Sequence, residues 1–278
     1  MSDTFTTMSE TRKQVQIGDR AWEIQGDEQD HYFRRAQDHA HHLANGLLRV
    51  AAGRVRPDST ILDIGANIGL STLGLSALVP EGRVIAFEPS PRTARHLEAN
   101  VSGNGARNVT VVAAAVGSEA GTVRFATPPG SSSGAFVVRE GNTNRPAETV
   151  DVPVIALDEW LEEHGVARAD FVKLDIEGYE PWALHGARRW LSRERPPIFM
   201  EFNSWTLLAF ADVNPVTFAK RLWQSYRVLA PGQDGEPELA NPIAFAHDNL
   251  VKHGCVEDIV MELRVPEAPR LEEMIAGN

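Results

Sequence analysis

Residues 61–72 read ILDIGANIGLST, and how that stretch is taken decides how the rest of the chain is parsed. "ILDI" is a short apolar run that ends on a glycine turn, and "NIGLSTLGLSALV" (67–79) continues with helical periodicity until Pro80 and Gly82 stop it. A strand that turns through glycine directly into a helix is the first half of a βαβ unit. The next segments keep that rhythm. "RVIAFEP" (83–89) reads as a strand, "PRTARHLEANVSG" (91–103) as a helix with Pro91 in its first turn, and "NVTVVAAAVG" (108–117) as a third strand. Strands alternating with helices at this spacing predict a doubly wound, mostly parallel α/β sheet with right-handed crossovers.

From Gly117 to Pro153 the rhythm breaks. "GTVRFAT", the loop "PPGSSSG", "AFVVRE" and "ETVDVPVIAL" predict a β insertion carrying a Pro/Gly/Ser loop. Alternation resumes with "LDEWLEEHG" as helix, "DFVKLDI" as strand, "EPWALHGARRWLSRE" as helix and "PPIFMEF" as strand. The segments after Pro215 read as helix, strand, short helix and final strand. At the other end, residues 1 to about 15 are expected to fray. "QVQIGDRAWEIQG" is expected to form a hairpin, and "HYFRRAQDHAHHLANGLLRVAAG" (31–53) an added helix. The expected organisation is an N-terminal extension (1–56), a main domain (57–265, β insertion about 117–153) and a C-terminal tail (266–278).

Bulk properties exclude several classes. A formal charge of −11, with no long run of Lys or Arg, opposes binding to a polyanion such as nucleic acid. No apolar run is long enough for a bilayer span and none resembles a signal peptide, so a cytoplasmic location without membrane attachment is expected. One cysteine, Cys255, excludes an internal disulfide and reads as a small apolar filler. His39, His41 and His42 lack the i, i+4 spacing that aims two imidazoles at one metal, and read as a solvated or half-buried helix face. Nothing in the sequence sets the oligomeric state.

Ligands of open α/β sheets bind beyond the carboxyl ends of the strands. The loop Asp63-Ile64-Gly65-Ala66-Asn67-Ile68-Gly69 has Asn67 where the dinucleotide fingerprint has its middle glycine, and no Gly-Lys-Ser/Thr follows. Asp63 suits a cationic ligand better than a diphosphate. Glu88 ends the second strand, twenty-three residues past Gly65, and is placed to accept from two ribose hydroxyls. An adenosine with a positive far end satisfies both acids, and S-adenosylmethionine is such a ligand.

"ILDIGANIGLST", "VIAFEPSP" with "LEAN", "AAVGSEAG", and "FVKLDIEGYE" with "LHGA" occur here in that order. Together they resemble the FkbM family of S-adenosylmethionine-dependent methyltransferases, from about Thr60 to Phe202. The resemblance implies a class I methyltransferase (Rossmann-like) fold with a seven-stranded mixed sheet. It also implies O-methylation of a hydroxyl in a small natural product or sugar. It places Gly65, Asn67 and Gly69 around the methionine part of the cofactor and Glu88 on the ribose. Ala115 and Val116 fall where the adenine is covered. The sequence departs from a common pattern there, since no acid or polar residue stands ready to read the adenine amino group; backbone atoms or Ser118 are the alternatives. The Ser131–Ser133 loop is either a cover for the cofactor or a plain connection.

Methyl transfer to oxygen needs alignment and removal of a hydroxyl proton, and a placed base contributes about 10²–10⁴-fold. Phe171, Lys173 and Asp175 share one face of their strand, so Lys173 is expected to pair with Asp175. Asp175 and Glu177 at that strand end, Glu201 at the next, and His247 in the tail are the candidates for catalysis, and Asn203 stands beside Glu201 as a further oxygen donor should the acids hold an ion. Asp175 is expected either beside the cofactor's methionine amine or the acceptor hydroxyl, or only as the structural partner of Lys173. His185 is a weaker candidate base, and Trp205 either lines an acceptor pocket or sits in the core. The three acids can act without metal or hold Mg²⁺; the metal-free reading is preferred because no spacing is diagnostic. The alternative function is a nucleotide-binding α/β module without transfer activity that acts as a partner or regulator.

Overall fold

A computed structural model of the protein describes residues 10–139, 149–232 and 235–276. The chain begins with an antiparallel hairpin, β1 (Glu10–Ile17) and β2 (Arg20–Asp27), whose alternating pattern buries Val15, Ile17, Trp22 and Ile24. Fraying was expected as far as about residue 15. From Glu10 onward the chain is instead a strand, because Val15 and Ile17 find an apolar partner face in Leu48 and the first sheet helix. Residues 1–9 lie outside the described residues.

Three short helices follow: α1 (His31–Arg34), α2 (Ala36–Leu43) and α3 (Arg49–Ala52), with a π-helical turn over Ala44–Leu48 between the last two. One continuous helix was expected. The chain breaks at Arg35, and the π turn contains Gly46, a weak helix former.

The alternation then proceeds as β3 (Thr60–Ile64), α4 (Leu70–Leu78), β4 (Arg83–Phe87), α5 (Pro91–Gly103) and β5 (Val109–Val112). The insertion supplies β6 (Ala115–Val116), β7 (Gly121–Ala126), β8 (Phe136–Val137) and β9 (Thr149–Ile155), a separate sheet in the order β6-β9-β7-β8. The ends of "AFVVRE" and the start of "ETVDVPVIAL" fall outside the described residues. Next come α6 (Leu157–Glu163), β10 (Phe171–Leu174), α7 (Glu180–Gly186), α8 (Arg188–Glu194), β11 (Ile198–Asn203), α9 (Ser204–Ala209) and α10 (Pro215–Ser225). The chain closes with β12 (Tyr226–Leu229), α11 (Pro242–Val251), β13 (Val256–Leu263) and α12 (Leu271–Ile275). α9 was not expected; Asn203 caps it, its Oδ1 accepting from the amides of Trp205 and Thr206 at 3.1 Å each.

The main sheet runs β12-β13-β11-β10-β3-β4-β5. β5, β4, β3, β10 and β11 are parallel, and β13 runs against both of its neighbours. This is the α/β class I methyltransferase architecture, a doubly wound and mostly parallel sheet. Alternate residues feed opposite faces: Leu62, Val172 and Leu174 enter one core with Trp182, while Ile61, Phe171 and Phe199 enter the other with Leu70, Leu73 and Trp22. Chain order reverses between β3 and β10, so the loops after these strands diverge and open a crevice at their carboxyl ends. Among the described residues, no helix is long and apolar enough to cross a membrane.

Candidate active site

A cavity of about 420 Å³ occupies that crevice. Its first end is built by the loop after β3. Gly65 has φ 85°, and a Cβ there would lie 1.8 Å from the carbonyl oxygen of Asp175, so only glycine lets this loop pass the loop after β10. Asn67 is left-handed at φ 49°, a conformation that asparagine tolerates better than most residues. Its amide donates to Glu88 Oε2 at 3.0 Å, and the amide of Ser90 donates to Glu88 Oε1 at 2.9 Å. Glu88 is thus anchored by backbone while lining the cavity. Burial pushes its carboxyl up to about 7, against the pull of those two amides.

Asp63 was expected to face the ligand. It is fully buried behind the loop instead, where its Oδ2 accepts from the hydroxyls of Ser71 at 2.8 Å and Thr72 at 2.6 Å. Gly69 is likewise off the cavity wall and precedes α4 with φ 96°. Lys173 ties the two strand ends together. Its Nζ donates to the Gly65 carbonyl at 2.6 Å and lies 3.3 Å from Asp175 Oδ2 and 3.7 Å from Asp63 Oδ1. Burial alone would lower this ammonium, but the Asp175 and Asp63 carboxylates outweigh it and hold the group above its ordinary value.

At the other end, carboxylate oxygens of Asp175, Glu177 and Glu201 all lie within 4.8 Å of one another. The turn that delivers Glu177 is fixed from behind by Glu180, whose Oε1 accepts from the amides of Ile176 at 3.1 Å and Gly178 at 3.3 Å. Burial raises Glu177 and Glu201 well above the usual carboxyl range. Glu201 adds repulsion at Glu177, and Asp175 and Asp258 add it at Glu201. The amide of Asn203 answers in part, donating to Glu201 Oε2 at 3.3 Å. Such an all-oxygen set can share a proton or a hard cation.

Apolar and aromatic groups complete the wall. Val116 lies beside Ala115, Phe125 and Val137 near Glu88, and Ser132 and Ser133 of the insertion loop also line the cavity. Sequence reasoning missed the opposite wall. Tyr32, stacked on His39 at 4.2 Å, comes from α1 and α2, followed by His42, Leu43 and Leu47. His42 Nε2 lies 3.2 Å from Asp258 Oδ2, a bond that raises the imidazole, and Asp258 stands opposite Glu201 in the β11–β13 register. The histidine-rich helix was expected to be a solvated or half-buried face, and it is one, with His42 exposed and His39 half-buried, but no local spacing shows that β13 returns beneath it.

His247 does not roof the crevice. The buried side of α11 carries Phe245, Ala246 and Asn249, which leaves His247 facing solvent with its Nδ1 3.1 Å from Asp248 Oδ1. His185 accepts from the amide of Leu271 at 2.9 Å and anchors the C-terminal helix. Trp205 is half-exposed with its ring edge-on to Phe210, and neither it nor Ser118 lines the cavity.

Comparison with known proteins finds methyltransferases. Among curated relatives, the 2-O-methyltransferase NoeI of Sinorhizobium fredii is 24% identical over 201 residues, covering 67% of this chain and 81% of NoeI. The hexuronic acid methyltransferase AglP of Haloferax volcanii is 28% identical over 141 residues, covering 50% of this chain and 54% of AglP. The chain spans between 8% and 64% of the length of four curated relatives that it matches, AglP among them. A crystal structure of methyltransferase FkbM from Methylobacillus flagellatus overlaps with a TM-score of 0.44 at 21% identity, covering 75% of this chain and 44% of that one. The methyltransferase FkbM domain model matches residues 63–215, which hold the Gly65 loop, Glu88 and the whole acid triad. That match takes in more than half of the sequence, and the chain belongs to the FkbM methyltransferase domain family.

Proposed function

We propose that the protein transfers a methyl group from S-adenosylmethionine to a hydroxyl of a small natural product or sugar. The observation that carries this reading is one cavity with an anchored carboxylate at one end, a loop turned through Gly65 beside it, and a carboxylate triad at the other. Glu88 suits two vicinal ribose hydroxyls, and the Gly65–Asn67 backbone leaves room for the amino-acid portion. Val116 and Phe125 provide an apolar slot for the adenine. Bound S-adenosylmethionine supplies an electrophilic methyl on a sulfonium centre.

The chain's own residues supply alignment and a proton acceptor. Asp175, already paired with Lys173, is placed to take the cofactor's ammonium. The Glu177–Glu201 pair holds a carboxylate whose proton affinity burial and mutual repulsion raise well above the usual carboxyl range, the direction that makes a carboxylate a better general base. Leu43, Leu47 and Phe199 give the acceptor end an apolar side. Glu257 and Asp258 add to the acid side, and Lys173, the one lysine on the wall among the described residues, is spent on Asp63 and Asp175. A neutral or cationic hydroxylated acceptor suits this wall better than a uronate, although AglP is named for a hexuronic acid. A cytoplasmic location fits this reading.

Calorimetry with S-adenosylhomocysteine, followed by methyl transfer to a panel of neutral, amino and acidic sugars, tests the proposal. Absence of binding at sub-millimolar ligand overturns it. Binding without transfer to any hydroxylated acceptor would recast the protein as a cofactor-binding module. Loss of activity in EDTA that Mg²⁺ restores would assign the three carboxylates to an ion rather than to a proton.

A further inference from the structure

Three segments far apart in the chain meet over the donor end of the cavity. They are the turn entering α1, the insertion loop at 128–134, and the loop at 65–69. His31 donates its amide to the Gly130 carbonyl at 2.7 Å. Asp30 caps α1, its Oδ1 accepting from the Phe33 amide at 3.0 Å, while its Oδ2 accepts from the Ser132 amide at 2.6 Å. The Ser132 hydroxyl lies 3.1 Å from Asp30 Oδ1 and 3.0 Å from Asn67 Oδ1. It has one proton, so it serves either the roof contact or the donor loop at any instant. Asn67 Oδ1 also accepts from the Ile68 amide at 2.7 Å, and the Asn67 amide is one of the two that hold Glu88.

The roof side is itself anchored. Asp27, at the start of the same turn, is paired with Arg92 on α5, and its Oδ1 accepts from the Gln29 amide at 2.9 Å. Gly130, at φ 68°, passes so close to this turn that a Cβ would lie 2.9 Å from the Gln29 carbonyl. Two backbones therefore touch where Asp30 and Ser132 bond, and the serine reaches down from that seam to the left-handed residue of the donor loop.

We infer that Ser132 is a positioning residue that acts through Asn67, and that with Asp30 it forms a latch closing the insertion loop and α1 over the cofactor. The inference rests on the cofactor reading above. A ligand of nucleoside size that passes between Ser132 and Asn67 must part the contact between them, and the Asp30–Ser132 bonds hold Ser132 in that contact, so the latch slows exchange of the cofactor and orders its loop.

Two measurements test this. In ligand-free protein, hydrogen exchange of the amides at 65–69 and 128–134 is expected to be about tenfold faster in Ser132→Ala and in Asp30→Asn, since each removes a bond of ordinary strength. Asparagine caps a helix as well as aspartate does, so Asp30→Asn spares α1 while placing an amide where the Ser132 amide needs an acceptor. Ser132→Thr restores the hydroxyl and is expected to return exchange to the wild-type rate. Second, stopped-flow dissociation of S-adenosylhomocysteine is expected to be faster by a similar factor in Ser132→Ala and near wild type in Ser132→Thr. Wild-type exchange and dissociation in Ser132→Ala would overturn the latch while leaving the cofactor reading intact. If wild-type protein binds no S-adenosylhomocysteine, the cofactor reading and the latch's gating role both fall, and ligand-free exchange still decides whether Ser132 orders the 65–69 loop.

Discussion

Lys173 Nζ lies 3.3 Å from Asp175 Oδ2 and 3.7 Å from Asp63 Oδ1, so one buried ammonium joins the strand end that carries the acid triad to the strand that opens the donor loop. Lys173→Met leaves the Asp63 carboxylate, which is fully buried, without a counter-charge. Removing one partner of a buried pair costs about 3–5 kcal/mol, and that is the expected loss in denaturant unfolding. A loss under about 1 kcal/mol, the range of exposed pairs, would show that Lys173 is not the counter-ion of Asp63.

Glu88 should make cofactor affinity depend on pH. Its carboxyl sits near 7 in the ligand-free protein, and the ionised form is the better acceptor for two hydroxyls. S-adenosylhomocysteine is therefore expected to bind more tightly as pH rises from 6 to 8. Glu88→Gln should bind about tenfold more weakly at pH 8 and lose most of that dependence. Calorimetric titration at three pH values checks this, and equal slopes for both proteins would remove Glu88 from the ribose.

Glu177→Gln and Glu201→Gln separate chemistry from binding. Whichever residue accepts the hydroxyl proton should lose about 10²–10⁴ in kcat when made neutral, with S-adenosylhomocysteine affinity unchanged. Asp175→Asn should weaken cofactor binding as well, because that carboxylate is assigned to the ammonium. Intact turnover in all three variants would return the triad to a structural role.

Glu180 gives a stability signature without any ligand. Burial pushes its carboxyl up to about 7, so its contribution is fully present below the unfolded value near 4.5 and is lost as pH rises through 7. Glu180→Gln stays neutral and keeps an acceptor for the Ile176 and Gly178 amides. Its melting temperature should match wild type near pH 5 and exceed it by a few degrees at pH 8, a difference of up to about 3 kcal/mol. A variant less stable at pH 8 would show that the two amides need a full negative charge.

The donor half of the site was legible because local chemistry writes it: a glycine at a forced close approach, an acid at a strand end, and a lysine that needed a partner on its own face. Asp63 misled because its type and position fit a cationic ligand, while its direction into the core depends on Ser71, Thr72 and Lys173, which only the fold brings together. His247 misled for the opposite reason. Its neighbours Phe245, Ala246 and Asn249 already define a buried helical face that leaves it outside. The meeting of Tyr32, His39, His42 and Asp258 on one cavity wall was beyond local reading, since the histidine and the aspartate that pair there are separated by 216 residues.

That separation bears on how the protein is made. β13 is the last strand of the sheet in chain order, yet it lies between β11 and β12. As the chain leaves the ribosome, the helix bearing His42 emerges early and waits for almost the whole remaining sequence before Asp258 arrives. The strand ends bearing Asp175 and Glu201 can be in place beforehand, but the part of the cavity wall made by Val256, Glu257 and Asp258 is missing until β13 pairs with β11 and brings β12 in at the edge. Pairings this distant are slow to form, so acquisition of a working cavity should lag behind acquisition of secondary structure during biosynthesis.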